Sequence, residues 1–112
     1  MDVLCLDEAL GELRQLNPEI SVHTWHRASD YEVGLIAFYP RADDDTRQIV
    51  HERRDVICQV VRGAGRLRLE DEAVPVAPGS VYRIPAGTPH DFAASEAEPL
   101  VLLYTLVTVS AE

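Results

Sequence analysis

Gly79-Ser80-Val81-Tyr82-Arg83-Ile84-Pro85-Ala86-Gly87-Thr88-Pro89-His90 is the stretch that decides the reading of this chain. Gly79 follows Pro78, and Pro85-Ala86-Gly87 joins a fixed φ to a permissive residue, so a sharp reversal is expected at each end of Val81 to Ile84. The sequence here predicts a short strand between two tight turns, with His90 opening the next strand.

The same rhythm continues on both sides. Apolar segments alternate with turn signals such as Gly63-Ala64-Gly65, Glu70-Asp71-Glu72 and Glu96-Ala97-Glu98-Pro99, which is the pattern of a sandwich or barrel. Strands are predicted near 20–26, 31–39, 47–51, 55–62, 65–70, 73–77, 80–84, 89–94 and 99–109. Before them, Leu6, Leu10, Leu13 and Leu16 recur at helical spacing behind Asp7, and Asn17-Pro18 ends the pattern. One short helix is expected over about 7–16. Arg66 to Glu70 alternates strictly and predicts a strand with one wet face.

Acidic residues outnumber basic ones by 19 to 10, for a net charge of −9, and every basic residue is arginine. Such a field repels nucleic-acid phosphates, so a nucleic-acid partner is not expected. The longest apolar run, Leu100 to Leu103, is far below the ~20 residues of a membrane helix. Asp2, Asp7 and Glu8 occupy the start where a signal peptide would be basic. A single domain, cytoplasmic and without membrane contact, is expected. Cys5 and Cys58 make no disulfide framework, and Cys58 reads as a small buried hydrophobe. Asp43-Asp44-Asp45 reads as a solvated loop, and His23 and His26, three apart in a strand, should face opposite sides.

The Gly79 to His90 stretch resembles the second motif of the cupin superfamily, with the family's terminal asparagine replaced by Ala94. The resemblance implies an all-β, jelly-roll β-barrel of the small single-domain type, over about 20–110. The family's first motif is half eroded. Its leading glycine falls on Asp43, its first histidine on Ile49 and its second on His51. Its carboxylate falls on Asp55 or on Val56; the distance from Val56 to Gly63 fits the family better, but only Asp55 has the chemistry.

The metal ligands implied by the resemblance are therefore His51, Asp55 and His90, with Gln48 or Gln59 as a further oxygen donor. Asp55 and Gln59 share a parity along their strand and are expected to point inward. Ile57, Gln59, Val61, Ile84 and Phe92 would line the pocket. Two imidazoles and a carboxylate suit a divalent ion: Fe, Zn, Mn, Ni or Co. The implied function is a metal-dependent oxygenase acting on a small organic molecule. Two alternatives stand beside it: a non-catalytic binder of a sugar or metabolite, and a metal-free isomerase or epimerase using His51 or His90 as a base. Val56 to Val61 and Leu100 to Val107 are apolar on both faces, so the helix or a second subunit must cover them; cupins commonly pair this way, and a homodimer is expected.

Overall fold

The computed structural model describes residues 1–40, 49–95 and 97–109. Among these residues there is one helix, α1 (Leu6–Leu10), followed by β1 (Arg14–Asn17), β2 (Ile20–Arg27), β3 (Tyr31–Phe38), β4 (Arg54–Arg62), β5 (Gly65–Arg68), β6 (Ala73–Val76), β7 (Val81–Ile84), β8 (Asp91–Ala94) and β9 (Leu100–Thr108). The strands form a six-stranded sheet in the order β1-β2-β3-β9-β4-β7 and a three-stranded sheet in the order β6-β5-β8. Neighbours within both sheets run antiparallel. This is the jelly-roll architecture that the resemblance implies.

The core lies between the two sheets. Val56, Cys58 and Val60 of β4 stand opposite Leu106, Tyr104 and Leu102 of β9. They pack with Phe38 and Ile84, and with Leu67, Val76 and Phe92 from the smaller sheet. Side chains alternate along a strand, so this inward set fixes the opposite parity as outward. Ile57 is accordingly 42 % exposed, and Gln59 is exposed. The expected inward direction of Asp55, Ile57 and Gln59 is thus corrected by one residue of register.

The helix is shorter than the predicted 7–16. The Gly11 N–H bonds back to the Glu8 carbonyl, and the chain then pairs with β2 instead of continuing the helix. A helix of this length has little stability of its own, whereas a sheet edge offers ready backbone partners. Leu13 still packs inward, but Leu16 is 57 % exposed. Leu4, Leu6, Ala9, Leu10 and Leu13 cover Leu35, Ala37, Val101, Leu103 and Val61 on the outer side of the large sheet. The N-terminal segment therefore covers part of the second apolar face. Val61 shares the outward parity of Ile57 and Gln59 and joins that outer cluster, away from the expected pocket.

Of the predicted strand at 47–51, residues 47 and 48, including Gln48, lie outside the described residues, as do Asp43, Asp44 and Asp45. Ile49 makes an isolated bridge to His90. The wet face expected for β5 is also corrected: Arg68 is nearly buried and its Nη2 lies 2.5 Å from Oδ2 of the buried Asp91, its register partner on β8. His23 makes a 3.5 Å contact with Glu12, and exposed His26 lies beside the Tyr31 ring. Among the described residues no helix is long and apolar enough to cross a membrane.

Candidate functional site

The Gly79 to His90 stretch builds the site. Gly79 and Gly87 both adopt positive φ, at 94° and 82°, which an L side chain rarely tolerates. Gly87 then donates its N–H to the His51 carbonyl at 2.8 Å. Two further backbone bonds, Ile49 N–H to the His90 carbonyl at 2.7 Å and His90 N–H to the Ile49 carbonyl at 3.0 Å, tie the same segments together. The turn and the bridge bring the His51 and His90 rings to a centroid separation of 5.9 Å.

Both rings line a cavity of about 180 Å³ between the sheets. Most of its lining is apolar, with Ile49, Val56, Phe92 and Leu102 among the contributors; Glu32, Cys58 and Tyr104 complete its polar or ionisable groups. Phe92 is therefore where the sequence places it. Ile84 is buried in the surrounding core and does not line the cavity, and neither do Ile57, Gln59 or Val61.

The protonation of the pair follows from its partners. His90 is buried, and its Nδ1 lies 2.9 Å from the Thr88 carbonyl. A carbonyl only accepts, so Nδ1 carries the proton and a neutral ring keeps its lone pair on Nε2. His51 is half-buried, and burial, then the neighbouring His90 and the positive charge of Arg54, hold its pKa below 6.5. It is neutral at pH 7.

Glu32 was not expected from the sequence. It lies on β3 opposite Leu106, where its parity points inward. Tyr104 donates to its Oε2 at 2.7 Å and Arg27 Nε to its Oε1 at 2.9 Å. Burial pushes its carboxyl up, but those two hydrogen bonds and the charges of Arg27 and Arg54 outweigh that and hold it below 4.5. Burial, together with the Glu32 contact, pushes the Tyr104 phenol up to about 12, and burial pushes the Cys58 thiol to about 11. Cys58 is an inert thiol at neutral pH. A polar residue facing inward from an otherwise apolar strand pattern was the available signal for Glu32.

Asp55 is not brought to the pair. Its Oδ2 receives Arg83 Nη2 at 2.9 Å and Nε at 3.1 Å, and its Oδ1 accepts the Ala86 N–H at 2.9 Å. These contacts clamp β4 to β7 and to the Pro85-Ala86-Gly87 turn, and hold its carboxyl below 3.8 through the Ala86 bond first and Arg83 second. The inward residue at the acid position is Val56, the one whose spacing to Gly63 fits the family motif. Ile49, at the position of the first histidine, also faces the cavity. Two ligand positions of the family motif therefore present methyl groups where a metal would need lone pairs.

Residues 34–107 match the cupin domain family. The chain belongs to the cupins. Among solved structures, TT1209 from Thermus thermophilus superposes with a TM-score of 0.77 at 24% identity, over 96% of this chain and 98% of that one. KdgF from Halomonas sp. gives 0.71 at 27% identity, covering 87% and 88%. A cupin-2 domain containing protein from Shewanella frigidimarina gives 0.71 at 18%, covering 92% of each. No curated protein matches the sequence. Cupins commonly hold a metal, but among the described residues no three His, Cys, Asp or Glu side chains converge to hold one. The donors among the described residues do not fit a resident ion.

Proposed function

We propose that this cupin binds a small, mainly apolar organic molecule in its cavity and that the His51–His90 pair moves a proton on it, as in an isomerase. The observation that carries this reading is the pair itself: two close imidazoles on an apolar cavity, where Ile49 and Val56 occupy the family's other ligand positions. His90, with Nδ1 on the Thr88 carbonyl, offers Nε2 as the base. His51, held below 6.5, can hydrogen-bond to a carbonyl oxygen of the ligand. Removing a proton from the carbon beside that carbonyl and returning it elsewhere shifts a double bond without any change in oxidation state. The apolar lining limits competition from water. An apolar cavity of about 150 Å³ accommodates benzene, so the ligand body here is of roughly six to eight heavy atoms.

The test is deuterium incorporation from D2O into a panel of small ketones and 1,3-dicarbonyl compounds, followed by proton NMR. Exchange above the buffer rate is expected, with a loss of about 10²-fold or more in His90→Gln. Exchange at the buffer rate across the panel, or unchanged in that variant, would remove the reading.

The oxygenase implied by the resemblance is the second reading, favoured by the two imidazoles and by the free lone pair on His90 Nε2. It requires a protein-held ion, and the metal content of the loaded chain decides it. Pairing with a second copy is part of the same proposal. Ile57 and Val81, on the outer face of the adjacent strands β4 and β7, remain 42 % and 61 % exposed beyond the reach of the N-terminal segment. Sedimentation velocity is expected to show a dimer that Ile57→Arg dissociates; a monomeric wild type removes the dimer.

A further inference from the structure

We propose that the ligand is an amphiphilic anion, with its apolar body in the cavity and a carboxylate or phosphate group in an arginine-lined groove beside it. This rests on the cavity reading above and adds the charge of the ligand's head.

The groove, of about 620 Å³, is lined by Arg27, Arg53 and Arg54 with Ser29, Tyr31 and Glu32. Glu32 also lines the cavity, so the two spaces share a wall. Three guanidinium groups face a single carboxylate there, a local positive excess in a chain whose net charge is −9. Glu32 does not absorb that excess. Its Oε1 accepts Arg27 Nε at 2.9 Å, whereas Arg54 Nη1 stays at 3.9 Å, outside hydrogen-bond reach. Arg54 is 44 % exposed, and its neighbour Arg53 is exposed as well.

Adjacent like charges at the start of β4 repel each other and gain from an anion between them. Guanidinium forks match the paired oxygens of a carboxylate or phosphate, and the hydroxyls of Ser29 and Tyr31 offer further donors. Elsewhere the acidic surface repels anions, so a positive patch at this place concentrates them beside the cavity. A cationic ligand would meet repulsion, and a neutral one would leave three arginines of the groove sharing the one Glu32 carboxylate.

Calorimetry on the full chain with hexanoate, hexyl phosphate and hexan-1-ol separates the two spaces, since the alcohol engages the cavity alone. Both anions, or one of them, are expected to bind at least about 10-fold more tightly than the alcohol at low salt. Which anion binds better identifies the head group. In the double variant Arg53→Ala with Arg54→Ala that preference is expected to vanish while the alcohol's affinity changes by less than about twofold. Raising wild-type samples to about 0.5 M salt should shrink the preference without any substitution. Alcohol binding with no preference for either anion, or an equal loss of all three ligands in the double variant, overturns the groove and leaves the cavity standing. Failure of all three to bind overturns both.

Discussion

His51 and Asp55 lie four residues apart, yet one faces the interior of the barrel and the other is fastened to its outside. The difference comes from β4, where Val56, Cys58 and Val60 turn to the core and Asp55, Ile57 and Gln59 to the outer face. A carboxylate with suitable chemistry in the wrong parity cannot share a site with the histidines. It serves the site at second hand, by fixing the turn whose Gly87 holds the His51 carbonyl.

The sharpest way to break this comparison is to place one charge on each face of β4. Val60→Asp, at a position 1 % exposed, is expected to cost about 4 kcal/mol or more, whereas Gln59→Asp should change stability by less than about 0.5 kcal/mol. Denaturant unfolding measures both, and equal effects would contradict the assigned parity.

Next in size, Glu32→Gln weakens the inward carboxylate's bonds to Tyr104 and Arg27 and is expected to cost about 1–3 kcal/mol at pH 7. The folded carboxyl titrates below its ordinary 4.5, so its contribution is present above that value and is lost as pH falls through the lower folded one. The gap between variant and wild type should therefore close in acid.

His51 works in the same sense at higher pH. Its folded pKa lies below 6.5, so the unfolded chain takes up protons first and wild-type stability declines as pH falls from 6.5 toward the folded value. His51→Gln should flatten that decline, as read from melting temperatures across the range. The smallest effect is expected from Asp55→Asn: a lower melting temperature at neutral pH, narrowing as pH drops below 3.8.

Much of this fold was legible from the chain. The turns around Val81 to Ile84, the strand β9 and the burial of Cys58 follow from local residue chemistry, because tight turns and doubly apolar strands admit few readings. The N-terminal region was not, since leucines at helical spacing also satisfied a short edge strand once β2 offered its backbone. In the site, the proximity of His51 and His90 could be reached through the motif. The third ligand could not, because chemistry favoured Asp55 while spacing favoured Val56, and spacing decided. Glu32 was hidden by distance: its relation to Tyr104 spans 72 residues and exists only when β3 and β9 pair.

The metal content of the chain, measured after loading with excess Fe(II) or Zn and desalting, tests the central claim most directly. Wild type and Asp55→Ala are expected to retain equally little, while Ile49→His with Val56→Glu, which restores the two positions carrying methyl groups, should retain roughly one ion per chain. A stoichiometric ion in the wild type that disappears in Asp55→Ala would contradict the account.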